Sequence, residues 1–245
     1  MKLGKIKNNF SYRLHGENIE LVDSMRDLGI IIDESLKFEE HINKITKAAN
    51  FRQYNMLRIL PKKLDLKLKI SAYKTYVRPM LEYATEVYNP KSINLKKKLE
   101  KPQRSFTKRV LGISKNKNRK SYSDRLKICG IDTLELRRSR SDLLTTFKII
   151  NGLYDVPSHL FFTPPPVRLA RRHQRTVFMP HMPRTKIAQN YFSIRVIHNW
   201  NNLPSQIGKF KLDDIYNSER FGQFLDKLSP NAIIPVPCFD YERPQ

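Results

Sequence analysis

The sequence predicts an α+β fold that is mainly α, with a short N-terminal β-hairpin, a helical bundle and a small C-terminal module. Alternating apolar residues are confined to about the first 35 positions, and spacings of three and four residues dominate afterwards. Glycine is scarce at 8 residues and proline plentiful at 15, which favours helices joined by rigid connections. Forty per cent of the residues are apolar, which is enough for a folded core.

The N-terminal segment has the pattern of a hairpin. Residues 12–14 and 19–21 alternate apolar and polar side chains on either side of a predicted turn at residues 15–18. Residues 28–32 (Leu-Gly-Ile-Ile-Ile) form a short, mostly β-branched apolar run, which is consistent with a buried strand.

Two helices follow and are delimited by prolines. Apolar residues recur every three or four positions over residues 38–60, with Gln53 as a gap, and Pro61 ends this helix. A second helix begins near Leu64. It must end or kink at Pro79, which lacks an amide proton and clashes with the preceding turn.

Residues 72–90 contain four tyrosines among aliphatic residues, and a further helical segment is predicted over residues 80–88. Tyrosine rings can stack on nucleic-acid bases. The helical spacing of Tyr73, Tyr76 and Tyr83 favours packing in the core instead.

A strongly basic helix is predicted over residues 93–111. Its apolar residues share one face, lysines and arginines occupy most of the remainder, and Pro102 should kink it. A basic loop over residues 114–120 and a helical turn over residues 122–128 follow.

The next helix opens with Asp132 and Glu135, which have the spacing of a capping box. Its apolar residues predict that Arg137, Arg138 and Arg140 point outward. Asn-Gly at residues 151–152 should end it.

Prolines at residues 157 and 164–166 predict a stiff connection, so we expect three parts. These are residual strands over residues 1–35, a helical domain over 36–155 and a basic extension over 156–245. The extension should contain helices near residues 190–200, which include a core-anchoring Trp200, and near 218–228.

The charge balance indicates a polyanionic partner. Lysine and arginine number 46 against 23 acidic residues, a net charge of +23. Residues 91–140 hold 17 basic and 4 acidic residues, and residues 156–212 hold nine basic and no acidic ones. Such surfaces suit nucleic-acid phosphates first and an anionic membrane second. A merely solvated basic surface is the remaining alternative.

No catalytic or metal motif is evident. The sequence has no glycine-rich phosphate loop and no histidine pair at metal-ligand spacing. Asp213-Asp214 superficially resembles a two-metal polymerase site, but the 57 residues before it contain no carboxylate, so a helix start or solvated turn is the better interpretation. Cys129 and Cys238 form no metal spacing and no disulfide framework, which favours a reducing, intracellular setting in the nucleus or cytoplasm. No segment has the length and hydropathy of a membrane span. Between the two polyanions, nucleic acid is the expected partner and a membrane is not.

Several segments, in order and spacing, resemble the region after the palm in non-LTR retrotransposon reverse transcriptases of the jockey and CR1-like group. The resemblance covers nearly the whole chain. The most specific pieces are DLGIIID at residues 27–33, LKFEEHI at 36–42, YVRPMLEYA at 76–84, YNP at 88–90, EKPQRSFTKR at 100–109, LELRRSR at 134–140, FSIRV at 192–196 and WNNLP at 200–204.

This resemblance implies the end of a palm, a helical thumb that grips the template–primer duplex, and a C-terminal extension. It places the catalytic aspartates of the RNA-directed DNA polymerase, and the Mg²⁺ that they bind, before residue 1, so the chain is expected to be a truncated part without a cofactor of its own. Two departures are Tyr88, where the family often has tryptophan, and Pro102, in a helix that the family usually leaves continuous.

The predicted function is therefore non-specific binding of RNA, DNA or an RNA–DNA hybrid, with no catalysis by this chain alone. The expected phosphate contacts are twelve basic residues within the two acid-poor segments: Lys97, Lys98, Arg104, Lys108, Arg109, Lys115, Lys117, Arg137, Arg138, Arg171, Arg172 and Arg175. The alternatives are a subunit that acts with a separate palm or the rest of a retrotransposon polymerase, a protein-interaction domain, and a non-functional relic.

Overall fold

The computed structural model describes residues 11–113, 120–163, 188–204 and 215–233. Within these ranges the chain is mainly helical, with short antiparallel strands near the N-terminus. The predicted α+β class with a dominant α content is confirmed.

Cα packing divides the chain into two compact units. Unit 1 comprises Met1–Ala84 and Pro90–Cys129, and unit 2 comprises Thr85–Asn89 and Gly130–Gln245. Residues 130–155, which the sequence pattern groups with the preceding helices, therefore pack with the C-terminal residues.

Two hairpins open unit 1, and each turns through a residue–glycine pair. His15 and Gly16 have φ of 48° and 86°, and Leu28 and Gly29 have φ of 43° and 88°. Positive φ at both positions is the requirement of the tight turns that suit the twist of paired strands. The predicted turn at 15–18 is thus shorter than expected. The strands are β1 Arg13–Leu14 with β2 Glu17–Asn18, and β3 Ser24–Asp27 with β4 Ile30–Asp33.

The first two helices of unit 1 end close to the prolines that predict their ends. The first ends at Ile59, just before Pro61, and the second ends at Tyr76. Pro79 lies in the first turn of the short helix that follows, where its missing amide proton costs nothing. The helices are α1 Glu39–Ile59, α2 Leu66–Tyr76, α3 Arg78–Glu82, α5 Ile93–Val110 and α6 Tyr122–Cys129.

The prediction that Tyr76 and Tyr83 pack in the core is wrong. Tyr73 is completely buried, but Tyr76 and Tyr83 are 61% and 57% exposed. Tyr76 is the last residue of α2. Its side chain lies next to the buried face of the helix, which holds Tyr73, but is not part of it. Tyr83 ends α3, and its hydroxyl donates to the carbonyl of Leu28 at 3.0 Å.

Unit 2 is built around aromatic packing on α7. The ring of Phe221 stacks on Phe147 with centroids 4.5 Å apart and lies 6.0 Å from Trp200. Trp200 is buried, as predicted for a core anchor. The predicted C-terminal helices are present. The elements are α4 Thr85–Tyr88, α7 Leu134–Ile150, α8 Phe192–Asn202, α9 Ile215–Lys227 and α10 Pro230–Ile233.

The cap of α7 lies one residue later than predicted. The Thr133 hydroxyl accepts the Leu136 amide at 3.1 Å, so Thr133, not Asp132, is the capping residue. Asp132 instead pairs with Arg140, whose Nη1 lies 2.5 Å from its carboxylate. Arg140 is mostly covered, so the prediction that it points outward is wrong.

Candidate nucleic-acid interface

Helix α5 places four cationic residues along one side. Lys97, Lys101, Arg104 and Lys108 follow one another at steps of four, three and four residues. Because an α-helix advances about 100° per residue, these steps keep the side chains within a narrow row about 16 Å long. The three lysines are exposed and Arg104 is partly exposed. This row is the α5 cationic stripe.

The opposite side of α5 is buried, which fixes the direction of the stripe. Leu99, Gln103 and Phe106 have no exposed surface and lie roughly half a turn from the stripe. The Phe106 ring stacks on Tyr73 of α2 with centroids 4.2 Å apart, and α5 also packs along α1. The stripe therefore cannot turn inward without unpacking this core.

Pro102 lies within α5 but does not end the helix. Its carbonyl faces the buried side chain of Gln53 on α1. In the amide orientation that satisfies both groups, Gln53 donates to the Pro102 carbonyl at 2.9 Å and accepts the Phe106 amide at 3.3 Å. The residue that looks like a gap in the apolar pattern of α1 is thus a polar bridge to α5. A kink at Pro102 remains a prediction.

Helix α5 also carries a buried polar network around Glu100, which has no exposed surface. The carboxylate accepts hydrogen bonds from the Tyr122 hydroxyl and from the Gln103 amide, the latter at 3.2 Å. The Tyr73 hydroxyl donates to the other end of Gln103 at 3.4 Å. Burial, followed by the adjacent Glu100 carboxylate, raises the pKa of Tyr122 above its ordinary value. Tyr122 therefore keeps its proton and remains a hydrogen-bond donor.

Arg104 connects the stripe to this network. Its guanidinium carbon lies 4.3 Å from the centroid of the Tyr122 ring, and that of Arg125 on α6 lies 5.3 Å from the same centroid. Arg125 Nε also donates to the Thr107 hydroxyl at 3.2 Å. Each cation–π contact contributes about 0.5–2 kcal/mol, depending on desolvation. Arg104 is therefore positioned by its neighbours, whereas the three lysines extend into solvent.

The surface around the stripe is strongly cationic. Within Ile93–Val110 the one carboxylate is that of Glu100, and it is buried. Lys98 is partly exposed and Arg109 is exposed, and both flank the stripe by about a third of a turn. All five phosphate contacts predicted on α5 thus reach the surface. The sequence prediction left out Lys101, although its position four residues after Lys97 could have indicated it.

The two arginines predicted on α7 differ from one another. Arg137 is partly exposed, but Arg138 is only 1% exposed, so its predicted outward direction is wrong. Arg138 Nε donates to the Asn89 side chain at 3.2 Å. Among the described residues, neither Nη nitrogen of Arg138 has a hydrogen-bond acceptor. A guanidinium so deeply buried cannot contact a phosphate in this conformation.

A third arginine completes this polar cluster in unit 2. Arg195 donates through Nε and Nη2 to the two carboxylate oxygens of Asp142 at 2.9 and 2.8 Å, and through Nη2 to the Glu86 carbonyl at 2.8 Å. The Asn89 amide also donates to Asp142, at 3.2 Å. Burial raises the pKa of Asp142, and the hydrogen bonds from Arg195 oppose that shift. The cluster links α4, α7 and α8 within unit 2, and the side chains of Arg195 and Asp142 in it are mostly buried.

The other predicted contacts, Lys115, Lys117, Arg171, Arg172 and Arg175, lie outside the described residues, as does the Asp213-Asp214 pair. Across the described ranges, no three His, Cys, Asp or Glu side chains are arranged to hold a metal ion. No helix in these same ranges is long and apolar enough to cross a membrane.

The fold and the stripe define a mainly helical α+β protein with a basic helix face. No family model matches the sequence, and no solved structure matches it. The chain is 32% identical to uncharacterized protein B0403.1 of Caenorhabditis elegans over 139 residues, which are 57% of this chain and 69% of that protein. The chain belongs to the same family as that protein.

Proposed function

We propose that this chain is a nucleic-acid-binding part of a non-LTR retrotransposon reverse transcriptase, and that it grips the sugar–phosphate backbone of a template–primer duplex. The observation that carries the proposal is the α5 cationic stripe, formed by Lys97, Lys101, Arg104 and Lys108 opposite a fully buried helix face. The sequence resemblance supports the polymerase family, because it extends through the hairpin and helices of unit 1.

The stripe has the properties of a surface that binds backbone rather than bases. Lysines are flexible point charges that accept many phosphate positions, and contacts of this kind carry no sequence information. The buried carboxylate of Glu100 keeps negative charge off the stripe. The expected partners are RNA, DNA and RNA–DNA hybrids, and the resemblance assigns catalysis with Mg²⁺ to the palm of such a polymerase.

A salt titration of binding tests this proposal. The probe is a fluorescent RNA–DNA hybrid, and the variant is Lys97→Gln/Lys101→Gln/Lys108→Gln, which spares Arg104 and its contact with Tyr122. Each lost phosphate contact lowers the slope of log affinity against log salt by about one, so we expect a slope smaller by about two to three.

The matched control is Lys62→Gln/Lys63→Gln/Lys67→Gln. It removes the same charge from exposed positions of unit 1 that are not part of α5. We expect its slope to stay within about one of the wild-type value. Equal effects of the two triple variants, or a wild-type affinity that does not respond to salt, would refute the duplex grip.

Primer extension separates binding from the enzymatic alternative. We expect no nucleotide incorporation by this chain with Mg²⁺ and a primed RNA template. Incorporation that Asp213→Ala abolishes would show that the chain is itself a polymerase.

A further inference from the structure

The outer face of α1 carries cationic and aromatic side chains in one row. Lys44, Lys47, Phe51, Tyr54 and Arg58 follow at steps of three, four, three and four residues. This spacing keeps all five on one side of the helix over about 21 Å. These five residues are the α1 row.

The packing of unit 1 does not account for the two rings of the row. Phe51 is 69% exposed and Tyr54 is 52% exposed. The buried residues of α1, such as Ile42, Ala49 and Gln53, lie on the opposite side of the helix. Burial of a Phe side chain stabilises a fold, and Phe51 contributes little of this stabilisation within unit 1 because most of its surface is exposed.

The α1 row carries positive charge along almost its whole length. Lys44, Lys47 and Arg58 are exposed, and residues 41–64 contain no aspartate or glutamate. The acidic residues of α1, Glu39 and Glu40, lie in its first turn. A surface of this kind attracts a polyanion.

We propose that the α1 row binds single-stranded nucleic acid by stacking unpaired bases on Phe51 and Tyr54 while the flanking cations contact phosphates. The inference rests on the proposed nucleic-acid-binding function and adds a second site with a different substrate class. Bases in a duplex stack on each other, so their faces are closed to protein rings, whereas unpaired bases are open to them. Two separate rings between cations suit this mode better than a membrane surface, which requires a broad, continuous apolar face.

The test compares a single-stranded RNA of about 15 nucleotides with an RNA–DNA hybrid duplex of similar length. The variant Phe51→Leu/Tyr54→Leu keeps apolar side chains and helix propensity but removes both rings. We expect its affinity for the single strand to fall at least about tenfold, because each lost ring removes the stacking of one base. Its affinity for the duplex should change less than about twofold, since that surface is unaltered.

The control Tyr12→Leu/Tyr191→Leu removes two rings of similar exposure outside α1 and should leave both affinities unchanged. A photocrosslink from 5-bromouridine in the single strand should map to Phe51 or Tyr54. Unchanged single-strand affinity in the α1 variant, or equal losses on both probes, would overturn the inference.

The two proposals fail in different ways. Duplex binding that depends on the α5 stripe, combined with single-strand binding that ignores Phe51 and Tyr54, overturns only the α1 site. Ring-dependent binding of the single strand without duplex binding supports the α1 site and overturns the duplex grip. Wild-type protein that binds neither probe at low salt overturns both.

Discussion

Helices α5 and α7 both carry neighbouring basic residues on a predicted amphipathic pattern, yet they use them differently. Helix α5 directs Lys97, Lys101 and Lys108 to solvent, whereas α7 buries Arg138. Each helix also buries a carboxylate. Glu100 on α5 accepts from Tyr122 and Gln103, while Asp142 on α7 accepts from Arg195. Whether the basic residues of a helix are exposed or buried therefore depends on the polar groups of the neighbouring helices, and not only on the sequence of that helix.

The largest effect should follow from breaking the pair on the α7 side. Arg195→Ala leaves the Asp142 carboxylate buried without its cation, which typically costs about 3–5 kcal/mol of stability. Trp200, the one tryptophan of the sequence, lies in the core of unit 2, so its fluorescence during urea denaturation measures this loss.

Arg195→Lys is the matched control for that variant. It keeps the charge but not the planar fork that meets both oxygens of Asp142, so its loss should be smaller. A loss below about 1 kcal/mol for Arg195→Ala would show that the cluster is not what holds unit 2 together.

A moderate loss of stability is expected when the buried carboxylate of α5 loses a hydrogen-bond donor. Tyr122→Phe removes a hydroxyl that donates to the buried Glu100 carboxylate, at a cost of about 1–3 kcal/mol. Tyr73→Phe, which removes a weaker bond of 3.4 Å to Gln103, should cost less. Circular dichroism during urea denaturation measures both changes. Equal losses for the two variants would mean that the hydrogen bond to the buried Glu100 carboxylate contributes no more stability than the bond to Gln103.

The sequence predicts the helices of unit 1 well because proline acts locally. Pro61 and Pro79 remove an amide donor wherever they lie, so the helix ends near them follow from chemistry that needs no partner. Tyr76 and Tyr83 were predicted less well. Their burial depends on how the chain turns between α2 and α3, and periodicity within one helix does not encode that turn.

The surface position of the basic residues on α5 could be predicted from the sequence, but the burial of Arg138 on α7 could not. The residues of α5 reach the surface because one side of that helix packs and the other does not, which is the arrangement that periodicity describes. Helix α7 packs against α4, α8 and α9, so its buried arc is wide enough to include Arg138. The Arg195–Asp142 pair joins residues that are 53 positions apart, and no local spacing could have indicated it.

Replacement of the buried Arg138 should have only a small effect on stability and none on nucleic-acid binding. Arg138→Met loses one hydrogen bond to Asn89 but also removes a buried cation, two of whose nitrogens have no acceptor among the described residues. These opposing changes should leave the stability of unit 2 within about 1 kcal/mol of the wild type, measured by Trp200 fluorescence. The salt slope of hybrid binding should not change.

Arg109→Gln on α5 is the matched control, in which an exposed arginine is replaced instead of a buried one. The side chain is exposed, so its loss should leave stability unchanged and lower the salt slope by up to about one. A reduced slope for Arg138→Met would mean that α7 opens and presents this arginine to phosphate, and the contrast between the two helices would then fail.

The smallest effect concerns pH and is confined to unit 1. His41 accepts the Ile31 amide through Nδ1 at 3.3 Å, which joins β4 to α1. Burial, followed by the nearby charge of Lys44, lowers the pKa of His41 from its ordinary 6.5. Below pH 6.5 the unfolded chain therefore binds more protons at this residue than the folded chain does, so this contribution to stability is present above pH 6.5 and is lost as the pH falls. Hydrogen exchange at the Ile31 amide, corrected for its intrinsic rate, should show weaker protection at lower pH.

His41→Asn supplies the control, because its side-chain oxygen can take the place of Nδ1 but does not titrate in this range. We expect the variant to lose the pH dependence at the Ile31 amide while the Trp200 profile of unit 2 stays the same. A matching change at Trp200 would mean that protonation acts on the whole chain through its high net charge rather than through this one hydrogen bond. If only the Ile31 amide responds to pH, the pH-sensitive contact of unit 1 is the hydrogen bond between β4 and α1, and not a contact of the α5 stripe.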